Sequence, residues 1–228
     1  EGLRGGHSGE RIGDGRGNAI RTLALALHAL AQEGDVELVS LTGGTARNAI
    51  PPTAEAIVRT AMDERSIARL LAAEEKRFHA IYSEADPAMK FTLHPAHEAG
   101  RVIGAQEQRA LIDLLVLLRT GVHAMTHTQT GGVETSANLG VVRMDENFPR
   151  SSVNERLDEI VCETETLAAL TGFSLVVGTA SPAWRENPKS KLRTIMAEVY
   201  AAQNGGTPMK IESIHAGLET SWHASKNP

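Results

Sequence analysis

His7 has the setting in this sequence most suited to chemistry. It lies within Gly5-Gly6-His7-Ser8-Gly9, and glycines on both sides let the backbone approach a ligand closely. An imidazole carried there can donate a hydrogen bond to an oxygen that gains charge in a transition state; a loop histidine without such a role fits the same residues. The second unusual segment is Gly43-Gly44-Thr45-Ala46-Arg47-Asn48-Ala49-Ile50-Pro51. Two glycines free the turn, prolines stiffen its exit, and Arg47 and Asn48 are presented between two extended stretches. A guanidinium fork beside an amide suits a carboxylate or a peptide terminus, although a plain polar turn has the same composition.

Other patterns fall short of chemistry. Ser8 lacks the second glycine of a nucleophile elbow, because Glu10 occupies that place. Gly13-Asp14-Gly15-Arg16-Gly17 meets neither the dinucleotide nor the P-loop spacing. His94 with His97, and His123 with His127, have no intervening glutamate or acidic cluster of the zincin kind. Glu74-Glu75 falls in a long charged helical pattern, where adjacent acids diverge and read as a solvated face.

The elements that must position these residues follow from periodicity. Residues 18–32 carry Ile20, Leu23, Leu27 and Leu30 on one helical stripe, with Gly34 as the stop. Residues 36–42 and 53–59 read as a strand pair around the Arg47 loop, and 62–85 as a charged helix halted at Asp86-Pro87. Residues 89–94 then read as a strand, 106–120 as a helix, 133–144 as extended, 154–171 as a helix with Asn154 as its cap, and 173–177 as extended. The order of elements nearly repeats itself, which predicts an α+β fold of two tandem split βαβ (ferredoxin-like) units. Beyond Ser181-Pro182 the composition changes, and a helix around residues 192–200 and a strand over 209–214 are expected. The domain boundary is accordingly set at 181/182.

The chain has 228 residues, 41% of them hydrophobic, with a net charge of −5. It is long enough to bury a core, and Cys162 is the only cysteine, so a disulfide framework is excluded and a reducing, cytoplasmic setting is expected. The acidic balance offers no global field for nucleic acid, and the most apolar stretch, 19–31, is too short and too interrupted to span a bilayer. The first residues lack an initiator Met and the regions of a signal peptide, as if the chain began within a longer protein.

Taken in order, six segments resemble the aminoacyl-histidine (Xaa-His) dipeptidases of the M20 metallopeptidases. They are Gly2-Leu3-Arg4-Gly5-Gly6-His7-Ser8-Gly9, Gly15-Arg16-Gly17-Asn18-Ala19-Ile20, the Gly43 to Pro51 run, Val133-Glu134-Thr135-Ser136-Ala137-Asn138-Leu139-Gly140, Pro149-Arg150-Ser151-Ser152 and Ile214-His215-Ala216-Gly217-Leu218-Glu219. The resemblance covers almost the whole chain and is weakest between Met62 and Gly104. It implies that residues 1–181 are a lid or dimerisation domain and 182–228 a short α/β piece of the returning catalytic domain. Two zinc ions are implied for the intact enzyme, on ligand motifs this sequence does not contain, so the chain alone is expected to be inactive.

By the same resemblance His7 corresponds to a lid histidine that stabilises the tetrahedral oxyanion. Asn48, with Arg47 beside it, and Arg150 correspond to lid residues that grip the substrate, and His215, Gly217 and Glu219 to a loop at its C-terminal side. The implied substrate is a dipeptide ending in histidine, and the implied partner a second copy bound through the lid. Two other readings use the same residues: a non-catalytic dimerisation or small-molecule-binding module, and a sister M20 peptidase or deacylase of different specificity.

Overall fold

The computed structural model describes residues 1–96, 101–127, 132–142, 146–147, 150–151, 154–182, 187, 189–212, 215 and 220–226. The chain opens with β1 (Gly6–His7), α1 (Ser8–Arg11) and a 3₁₀ turn (Ile12–Asp14), then α2 (Ala19–Glu33). Asn18 caps α2 by accepting from the Arg21 amide at 3.2 Å, and Ile20, Ala24 and Leu27 face inward from its stripe. β2 (Val36–Gly43) and β4 (Ala54–Thr60) pair antiparallel with a bulge after Leu38, and β3 (Ala49–Ile50) lies in the connection between them. α3 (Glu64–Tyr82) starts at Asp63, whose carboxylate is held below its ordinary value of 3.8 by the Ser66 hydroxyl and then the Ser66 amide.

The second unit consists of α4 (Ala105–Leu117), β5 (Gly121–Met125), β6 (Val133–Ala137), β7 (Leu139–Val141), β8 (Glu146–Asn147), β9 (Arg150–Ser151) and α5 (Asn154–Thr171). β5, β6 and β9 form one antiparallel sheet and β7 pairs with β8. The two units share one core: Ile20 and Ala24 of α2 pack with Leu114, Leu115 and Leu118 of the α4 end and with Leu139 and Val142 beside β7. Polar groups bind the same seam. The Arg21 guanidinium donates to the carbonyls of Val116 and Leu118 at 2.7 and 2.8 Å, satisfying acceptors that the end of α4 leaves open. The Val142 amide donates to the Gly43 carbonyl at 3.0 Å, a backbone bridge from the second unit to the end of β2. The fold is therefore α+β, as the pattern predicts.

Three predicted strands do not form. Residues 89–94 run irregularly, with Lys90 exchanging two backbone bonds with Glu1 and the Phe91 amide donating to Glu75. Residues 173–177 and 209–212 are also irregular, while 213 and 214 lie outside the described residues. Alternation is only half of a strand, because its backbone groups also need a partner ladder. The predicted 133–144 strand breaks at Asn138 into β6 and β7, and β5 goes unread because Gly121-Val122-His123-Ala124-Met125 has little alternation. Beyond residue 182, α6 (Lys191–Gln203) buries no residue and leaves Leu192, Ile195, Met196 and Val199 open along one side. α7 (Thr220–Lys226), absent from the sequence reading, ends the described chain. Among the described residues no helix is long and apolar enough to cross a membrane.

Candidate functional site

β1 carries His7 and pairs antiparallel with β3, placing Gly6 opposite Ile50 and His7 opposite Ala49. The Ser8 amide adds a bond to the Asn48 carbonyl at 2.8 Å. The glycine-flanked histidine and the Arg47–Asn48 loop, some forty residues apart in sequence, are thus neighbours on one short ladder. His7 is half-buried, and its Nδ1 is buried with no hydrogen-bond partner among the described residues.

A clamp holds the segment that carries His7. Asp86 is fully buried, and its two carboxylate oxygens accept the amides of Arg4 and Gly17, each at 2.7 Å. Arg16 adds a bond from its guanidinium to the Gly5 carbonyl and an ion pair to Asp14 at 2.7 Å. Bonds to a carboxylate are among the stronger ones available to a backbone amide, so both flanks of β1 and α1 are fixed. In the sequence Asp86 marks only a helix stop. A lone acid before a proline carries no local signal that distant amides will converge on it.

The 43–51 loop is fixed from the other unit. Asn138, at the break between β6 and β7 and 1% exposed, donates from Nδ2 to the carbonyls of Arg47 at 3.1 Å and Ala49 at 2.8 Å. Two glycines let the backbones meet. Gly44 has φ of +70°, and a Cβ on it would lie 1.9 Å from the Gly140 carbonyl oxygen; a Cβ on Gly140 would lie 2.6 Å from that of Arg47. Arg47 and Asn48 stay exposed at the tip.

Two more of the sequence candidates meet β6, the strand just before Asn138. Arg150 lies on β9 opposite Ser136 of β6. His215 meets Ser136 directly, its Nε2 lying 2.9 Å from the buried Ser136 hydroxyl. Gly217 and Glu219 lie outside the described residues. His7, Arg47, Asn48, Arg150 and His215 are therefore linked through residues 136–140, in which Ser136 and Asn138 are the positions the residue-by-residue reading missed. Both lie within the Val133 to Gly140 segment, yet a small polar residue in a β-rich run signals only an ordinary strand.

Metal-binding capacity does not gather here. Among the described residues no group of three or more His, Cys, Asp or Glu side chains is placed to hold an ion. Glu74 and Glu75 diverge as expected on α3, the first pairing with Arg77 at 3.5 Å and the second accepting from Phe91.

Residues 1–85, which contain β1 through α3 and hence His7, Arg47 and Asn48, match the M20 peptidase dimerisation domain. Similarity extends well beyond that domain. A cytosol non-specific dipeptidase of Escherichia coli (strain K12) is 32% identical over 226 residues, 96% of this chain and 46% of that protein. The crystal structure of an aminoacylhistidine dipeptidase from Vibrio alginolyticus matches with a TM-score of 0.85 at 30% identity, covering 99% of this chain and 47% of that one. The chain thus spans about half the length of these relatives. The matched segment supplies the His7 ladder, and the remainder of the chain supplies Asn138, which braces it.

Proposed function

We propose that this chain is the lid-bearing portion of a cytosolic dipeptidase of the Xaa-His type, in which residues 1–181 form the lid and 182–228 begin the returning catalytic domain. The exposed apolar side of α6 supports that division, because a helix of this kind gains by burial against more protein. The reading puts two zinc ions on ligands outside this chain. The described residues do not fit a metal, so the chemistry assigned to them is binding, orientation and hydrogen-bond donation. Homodimerisation through the lid follows from the nature of the matching domain.

The observation that carries the reading is the register of His7 against Ala49, next to the exposed Asn48. A peptide held by Arg47, Asn48 and Arg150 at its carboxylate or backbone would present its carbonyl oxygen to the imidazole. The ladder and the Asp86 clamp fix the backbone of His7 before substrate arrives, so little reorganisation remains when the oxygen gains charge. His215 meets Ser136 on β6, and it serves the far end of the substrate.

Steady-state kinetics on the parent enzyme test this. His7→Ala should lower kcat by roughly 10² to 10³ with a smaller change in KM. An unchanged kcat removes His7 from the reaction. Rates across a panel of dipeptides decide between histidine preference and the broader range in the name of the Escherichia coli relative.

A further inference from the structure

We infer that Asn138 is a positioning residue for the substrate-gripping tip at Asn48, acting from the second unit of the fold; the inference rests on the function proposed for Asn48. The side chain straddles Asn48, donating to the carbonyls of the residues before and after it. Those carbonyls belong to a loop in which Arg47 and Asn48 are exposed. An exposed loop held only by its own turn would sample several conformations, and these two bonds, with the Ser8 amide on the Asn48 carbonyl, restrict it without touching the exposed side chains.

The amide is also an uneconomical choice for stability alone. Its Oδ1 is buried with no partner among the described residues, so the residue carries a desolvation cost on one side in order to supply two donors on the other. Ala49 ties the arrangement to the chemistry, since it accepts from Asn138 and lies opposite His7 in the β1–β3 register. A shift of the tip would therefore move Asn48 and the His7 ladder together. Gly140, two residues on, presses against the Arg47 backbone, so the strand approaches the tip at two points.

Two measurements test the inference separately from the function it rests on. In the 228-residue chain, amide hydrogen exchange over residues 8 and 44–50 should rise by about tenfold or more in Asn138→Ala, while α3 and α5 stay at wild-type rates; Asn138→Ser, which retains one donor, should fall between. Wild-type exchange in the tip of Asn138→Ala overturns the inference whatever the activity. In the parent enzyme, Asn138→Ala should lower kcat/KM about 10- to 100-fold, and the Asn48→Ala/Asn138→Ala double variant should be no worse than Asn48→Ala alone. Additive losses would mean that Asn138 does not act through Asn48. If Asn48→Ala itself leaves the rate unchanged, the role proposed for Asn48 fails, and with it the inference.

Discussion

Single side chains set the pH response of this chain. His123 on β5 is half-buried, and its pKa is lowered from the ordinary 6.5, first by burial and then by the Arg119 charge, with Glu163 opposing. The folded state therefore binds a proton less readily than the unfolded chain. Stability falls as pH drops through the unfolded value toward the lower folded one, and below that the loss is complete. Melting temperature should thus decrease between about pH 7.5 and about pH 5, and His123→Gln should flatten part of that decrease. An identical slope in the variant would assign the response to other groups. Asp86 is the other residue of consequence at this scale. Asp86→Ala leaves the amides of Arg4 and Gly17 without their acceptor, and it should cost about 2–5 kcal/mol in denaturant unfolding.

At the scale of elements, the seam between the two units depends on groups that serve both. Asn18 caps α2 and donates from Nδ2 to the Leu139 carbonyl at 2.9 Å, so one side chain starts a helix and fixes a strand 121 residues away. Asn18→Ala removes a cap and leaves a buried carbonyl open, an expected loss of about 2–4 kcal/mol. Gln108 of α4 plays a similar part at β2, accepting from the Leu38 amide at 2.6 Å and donating to the Val36 carbonyl at 2.7 Å. Gly140→Ala would push against the Arg47 backbone, which has no flexible end to yield. A cost of about 1–3 kcal/mol, read as a lower urea midpoint with unchanged m, is expected. A neutral Gly140→Ala would show that the loop is not held where β7 meets it.

For the whole molecule, the proposed reading sets what the 228-residue chain does in solution. Elemental analysis should find no stoichiometric zinc and peptidase assays no turnover, while sedimentation should find a dimer. Two metals per chain would overturn the assignment of the metal ligands to sequence outside it, and a strict monomer at high concentration would overturn pairing through the lid.

The sequence by itself determined what short-range physics controls. Periodic apolar stripes with caps and stops placed α2, α3, α4 and α5 within a few residues, because a helix satisfies its backbone internally. It also drew out His7 and the Arg47–Asn48 loop as candidates, because glycine and proline leave local marks in the sequence. Only the tertiary structure decided which strands exist and what braces the site. The extended runs at 89–94 and 173–177 found no ladder, whereas the two-residue strands β1 and β3, too short for any pattern, did. Asp86 and Asn138 owe their roles to partners 69 to 91 residues distant. Hydrogen bonds of that span are set by how the two units pack, and nothing in the residues flanking either side chain encodes them.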